Sequence, residues 1–188
     1  MNLIEAENQH PGTTSWHNTS ASIDAHRRST DIEGYCSKNS VSAGDTLTFF
    51  VSSTAPFVID IYRMGFYGGT GARLMHQTGT ISGGKREDPP VGEMQLRDCD
   101  WPPSLMFTIP NDWLSGVYIG KLTQVDTSAP TQSYVIFVVG DRRQCDFLFK
   151  TSDLTWCAYN AWPDEYSLYQ LHGPNPRIGY WGPGIQAT

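Results

Sequence analysis

The 188-residue chain has no C-x-x-C pair, no H-E-x-x-H or facial-triad spacing among its five histidines, no G-x-S-x-G elbow and no phosphate loop ending in Gly-Lys-Ser/Thr. Those absences remove the commonest zinc sites, a serine nucleophile of the α/β-hydrolase kind and Walker-type nucleotide binding. Positive charge is also short: 13 Lys+Arg stand against 19 Asp+Glu, a formal charge of −6. Nucleic-acid binders and polybasic membrane-surface proteins need cations to meet phosphate, so neither nucleic acid nor a membrane is an expected partner. No run approaches the roughly 20 apolar residues that span a bilayer, and the opening MNLIEAENQHPG is acidic where a signal peptide is basic and then apolar. With no export address, the four cysteines (Cys36, Cys99, Cys145, Cys157) are expected as free thiols in a reducing cytoplasm.

At 39 % hydrophobic, 12 % aromatic and 17 % charged, the composition can bury a core. Short strand-like runs fill the middle of the chain: Asp45 to Ser52, Phe57 to Tyr62, Ala72 to Met75, Leu105 to Ile109, Val117 to Leu122 and Ser133 to Val139. Glycine, proline and aspartate clusters separate them, and helix-length periodicity is absent. The pattern predicts a mainly β fold, an immunoglobulin-like antiparallel sandwich over residues 31–141 behind a lead-in segment over 1–30. Tyr118 enters its strand through a Ser-Gly turn, where sandwiches often place a corner tyrosine bonded to the backbone.

After Gly140 the pattern changes. Gln144 to Lys150 (QCDFLFK) reads as a nearly continuous apolar strand, and Thr151-Ser152-Asp153 offers cap residues for a helix through Leu154 to Trp162, limited by Pro163. Strand, polar turn and helix open an α/β domain, assigned here to residues 142–188. From Asp164 the prolines and glycines give no second strand, and one βα unit cannot cover its own faces, so that domain is expected to be truncated.

Several motifs, taken in order, resemble the large (β) subunit of N,N-dimethylformamidase. They are Ala6-Glu7-Asn8 with Pro11-Gly12-Thr13 and Trp16; Ile32-Glu33-Gly34-Tyr35; and Ile61 to Leu74 (IYRMGFYGGTGARL). They continue through Ser115-Gly116-Val117-Tyr118, Phe137-Val138-Val139 and Thr151 to Trp162 (TSDLTWCAYNAW). The resemblance implies an amidohydrolase that splits a small N-alkyl formamide such as dimethylformamide into dimethylamine and formate. It further implies a mononuclear iron held by two tyrosines and a glutamate, an α/β domain of glutamine-amidotransferase type, a small partner subunit and a homo-oligomer. A hard, oxygen-ligated ferric ion suits that reaction, since it polarises an amide carbonyl and acidifies a bound water.

On this resemblance Tyr159 is the first candidate metal ligand and Tyr118 the second. The family's glutamate lies in a downstream His-Pro-Glu-Tyr stretch that does not occur here, so this polypeptide is expected to be an N-terminal fragment without catalytic competence of its own. Each candidate also has a structural reading: Tyr159 as a half-buried aromatic beside Trp156 and Trp162, Tyr118 as the corner tyrosine. GFYGGTG reads as a bend in the sandwich, with Arg63, Phe66, Tyr67 and Arg73 either closing a tight hairpin or forming a contact surface for a following domain or subunit. Asp153 reads as a helix cap or first-turn dipole partner, the sequence identifies no base to activate Cys157 as a nucleophile, and the histidines and the loops Lys85 to Asp88 and Trp101 to Pro103 read as solvated. The alternative from a different class is a non-catalytic β-sandwich module that binds a carbohydrate or protein partner. Iron retained by a longer chain and lost on Tyr159→Phe would separate the two.

Overall fold

A computed structural model describes residues 2–20, 28–93, 96–163, 167 and 177–178. A short helix α1 (Leu3–Glu7) precedes nine strands: β1 (Ile32–Cys36), β2 (Ser40–Ser42), β3 (Thr46–Ser53), β4 (Phe57–Met64), β5 (Ala72–Gln77), β6 (Leu96–Arg97), β7 (Leu105–Thr108), β8 (Gly116–Gln124) and β9 (Gln132–Gly140). Helix α2 (Asp153–Tyr159) and a two-residue strand β10 (Arg177–Ile178) follow. One sheet runs β2-β9-β8-β4-β5, a smaller one β1-β3-β7, and β10 pairs with β6.

The two larger sheets are held face to face by alternation. Leu47, Phe49 and Val51 of β3, Phe57, Ile59 and Ile61 of β4, and Val135, Phe137 and Val139 of β9 occupy every second position and share one core. Phe49 meets Phe137 edge-on across the gap, centroids 6.0 Å apart. Gly120 makes this approach possible: a Cβ there would stand 2.9 Å from Val135 Cγ2 and 3.1 Å from Phe49 Cε1.

The mainly β expectation holds, with the strands close to where the sequence puts them, and four details differ. First, β2 pairs with β9 in parallel, so the larger sheet is mixed rather than purely antiparallel. The chain leaves the smaller sheet after β1 and joins the edge of the other, which sets the direction of β2. Second, the lead-in contains α1, closed by a capping box in which Asn2 and Glu5 exchange side-chain and backbone bonds. Third, residues 145–150 form no strand and are all exposed. An apolar strand of that kind requires neighbours on both faces, and among the described residues none pairs with it. Fourth, the tail does contain a strand, since Arg177 and Ile178 lie parallel to Leu96 and Arg97. The other tail positions of that expectation, apart from Ser167, fall outside the described residues.

None of the four cysteines is in a disulfide, with Cys36 buried and Cys145 exposed. His10, His17 and His76 are exposed, as expected, whereas His26 and His172 lie outside the described residues. No helix among the described residues is long and apolar enough to cross a membrane.

Candidate metal centre and its supports

The lead-in lies on the larger sheet, and its contacts explain GFYGGTG. Tyr67, Gly68, Gly69 and Gly71 all take positive φ (39°, 66°, 93° and 89°), curling the chain between β4 and β5 into a knot that holds one 3-10 turn (Tyr67–Gly69) and opens no α-helix. Its backbone amides at Phe66 and Tyr67 both donate to Asn8 Oδ1, at 2.7 and 3.2 Å. Tyr67 donates its hydroxyl to Glu7 Oε1 (2.8 Å) and accepts from Arg63 Nη1 (2.9 Å), and Arg73 reaches the same Glu7 oxygen at 2.8 Å. Arg63 also donates to the Ser115 carbonyl at 2.9 Å. Arg63, Tyr67 and Arg73 therefore fasten the protein's own α1, while Phe66 stays exposed. Burial pushes the Tyr67 phenol above its ordinary pKa, with the Glu7 hydrogen bond adding to it against the opposing effect of Arg63.

A second buried carboxylate anchors the chain after α2. Strand β1 is buried along its whole length. Ile32 and Cys36 face the main core, and Tyr35 faces a separate cluster with Trp101 and Trp162. Glu33, only 4 % exposed, accepts the Trp162 indole N–H at 2.8 Å on Oε2 and an Arg28 Nη2 bond at 2.6 Å on Oε1. Arg28 lies with its guanidinium 5.0 Å from the Trp162 ring centroid. It also forks onto Asp88 (2.6 and 2.9 Å) and reaches the Pro163 carbonyl at 3.3 Å. Burial alone would lower the Arg28 pKa, yet the hydrogen bonds to Asp88 and Glu33 outweigh it and keep the group firmly charged. Trp101, expected in a solvated loop, is instead buried. Its indole donates to the Glu87 carbonyl at 3.2 Å and its ring meets Tyr35 and Trp162.

The two candidate tyrosines occupy opposite environments. Tyr118 is completely buried, stacked between Trp113 (4.9 Å, 5°) and Phe137 (5.6 Å, 19°), and its hydroxyl donates to the Leu114 carbonyl at 2.7 Å. That is the geometry of a corner tyrosine. Burial drives its pKa well above the ordinary 10. Tyr159 is the last residue of α2 and 64 % exposed. Its helix has Asp153 in its first turn, rests on β9 over a shallow groove lined by Asn39, Phe137, Thr151 and Trp156, and buries none of its own residues completely.

These elements, from β4 through β10, coincide with the match to known families. Residues 58–181 fit the family model described as N,N-dimethylformamidase beta subunit-like, C-terminal. The chain belongs to this family. No curated protein matches it. The dimethylformamidase-like span covers about two-thirds of the chain and holds both candidate tyrosines, whereas Glu7, Arg28 and Glu33 precede it.

Among the described residues no three His, Cys, Asp or Glu side chains gather in a way that would hold a metal ion. A phenol ligand must lose its proton, and here the two tyrosines differ. Tyr159 is open to solvent and fits such a role. Tyr118 does not fit it in this arrangement, because its proton is committed to Leu114 and burial opposes its ionisation more than nearby Arg63 favours it. What sequence reasoning missed was the pair of buried carboxylates. Glu7 and Glu33 stand inside quoted motifs, and a glutamate amid the apolar residues of Ile32-Glu33-Gly34-Tyr35 was the available signal.

Proposed function

We propose that this chain supplies the sandwich and one phenol ligand to an iron-dependent amidohydrolase acting on small N-alkyl formamides. The observation that carries the reading is the dimethylformamidase-like match across 58–181, within which α2 presents Tyr159 to solvent. When bound, iron would supply Lewis-acid polarisation of the amide carbonyl and acidification of a water. The chain's own residues do the positioning. Tyr159 offers its oxygen from the end of α2, Trp156 seats the helix over β9, and Asp153 favours the helix N-terminus through the helix dipole. Tyr118 holds the entry to β8, and it offers a phenolate only where the bond to Leu114 is broken. The carboxylate ligand would come from a His-Pro-Glu-Tyr stretch, which is not among these 188 residues. A small subunit and homo-oligomeric assembly complete the enzyme in the cytoplasm.

The test is a chimera in which a relative's His-Pro-Glu-Tyr region follows this chain. The chimera is expected to retain close to one iron per chain, to show phenolate-to-iron absorption and to release dimethylamine from dimethylformamide. The unextended chain is expected to do none of these. Tyr159→Phe should abolish the iron signal, whereas Tyr118→Phe should leave it while lowering stability. Iron that survives Tyr159→Phe overturns the assignment. A chimera that stays metal-free yet binds glycans or a protein favours the binding-module alternative.

A further inference from the structure

Helix α2 has seven residues, far short of the roughly 12–15 at which an isolated helix becomes even marginally stable in water. None of its residues is fully buried, and Ser152 at its start provides no side-chain cap. Something beyond the helix must hold it. The fixed point lies immediately after Tyr159: Asn160 and Trp162 are 4 % and 6 % exposed, and Asn160 Oδ1 accepts the Trp162 backbone N–H at 3.0 Å. Trp162 in turn meets Glu33 through its indole, Trp101 through its ring edge (6.1 Å) and Arg28 through its ring face.

We infer that Glu33 is a positioning residue for Tyr159, its buried carboxylate fixing the end of α2 through the Trp162 indole on Oε2 and through Arg28, which donates to both oxygens. The arrangement is specific in its chemistry. A carboxylate buried in β1 must be fully partnered, and both of its oxygens are. Arg28 extends the clamp to the backbone at Pro163, four residues beyond Tyr159. Tyr159 thus stands three residues from the tightest attachment between the sandwich and the segment after it. The β1 strand thereby becomes a support for the phenol that the proposed reaction uses, although no Glu33 atom touches that phenol.

The purpose of this clamp rests on the metal reading, but its test reads the placement of Tyr159 directly in the 188-residue chain, so the two fail separately. The chain is prepared with 3-fluorotyrosine at position 159, and its fluorine spectrum is recorded alongside amide exchange. The parent is expected to give one sharp Tyr159 line. Trp162→Phe, which keeps an aromatic ring but loses the indole donor with part of the ring's bulk, and Glu33→Ala are each expected to broaden or split that line. Both should speed exchange across 153–159 at least tenfold while β4 and β8 exchange as before. Glu33→Gln retains an acceptor for the indole and should preserve the single line, which separates a hydrogen-bonded anchor from simple filling of the site. The two alterations should be non-additive when combined. The inference is overturned if the Tyr159 line and α2 exchange are unchanged in Trp162→Phe, or if glutamine is no better than alanine. Should Glu33→Ala fail to fold, Trp162→Phe decides together with Glu33→Gln, which must keep the single line.

Discussion

Between residues 31 and 140 nearly every large apolar side chain has found cover, and Phe49, Phe57 and Phe137 are at most 1 % exposed. Seven residues past β9, Phe147, Leu148 and Phe149 are 91, 90 and 81 % exposed, and Leu154 on α2 is 75 % exposed. Both stretches carry large apolar side chains, and what differs is the partner. A strand in the sandwich finds its ladder and its facing layer within the same chain. The apolar run at 147–149 finds neither among the described residues, and the segment after it is joined to the sandwich further on, by the Trp162 cluster with Tyr35 and Trp101 and the polar chemistry around Glu33. Hydrophobic pattern states a demand for burial, and only topology decides whether it is met.

Substitutions that break this contrast should scale with it. Phe49→Ala is expected to cost about 3–5 kcal/mol in chemical denaturation, the cost of an emptied core site, whereas Phe147→Ala should change stability by less than about 0.5 kcal/mol. A comparable loss from Phe147→Ala would mean that the run is covered in solution. Next in size, Glu33→Ala leaves the buried end of Arg28 and the Trp162 indole without their shared acceptor, for about 3 kcal/mol. Calorimetry should show that loss shrinking in Glu33→Gln.

A smaller effect sharpens the reading of Tyr118. Removing its hydroxyl in Tyr118→Phe should cost about 1 kcal/mol, the value of one hydrogen bond. Burial raises the folded pKa of this phenol above 10, so the stability it carries is complete below pH 10 and is lost as pH climbs from 10 toward the higher folded value. Tyr118→Phe should therefore flatten the alkaline limb of a stability–pH curve, and an unchanged limb would show that the phenol is not buried as described.

The smallest expected effect is at Asp141. Slight burial works to raise its pKa, but hydrogen bonds from Arg143 win and hold it below the ordinary 3.8. Its contribution is present above that value and fades as pH falls through the lower folded one. Above about pH 4, Asp141→Asn should lower the melting temperature slightly, and it should converge with the parent as the pH falls below that value.

Much of this architecture was legible in the residues. Period-2 alternation in FVIDIY and the aromatic DTLTFFVS placed β4 and β3 within a residue or two, because burial on one face imposes that pattern. The corner role of Tyr118 was equally readable from its Ser-Gly entry. The parallel course of β2 was not, since three residues carry no direction of pairing, and neither was α1, whose single capping box spans too few residues to show periodicity. The strand expected at 144–150 failed for another reason: its sequence specifies a strand but not the neighbours that would stabilise one. The clamp at Glu33 escaped notice because Arg28, Asp88 and Trp162 are brought together only by the fold.

The pairing of β2 with β9 has a consequence for biogenesis. Ser40 to Ser42 leave the ribosome almost 100 residues before Val138 to Gly140, the partners that close that edge. Until then the nascent chain carries an open sheet margin, the situation in which exposed strands attract wrong neighbours and chaperones become useful. Slowing translation once β9 has emerged from the ribosome should favour correct closure, and slowing it before β9 emerges should favour aggregation.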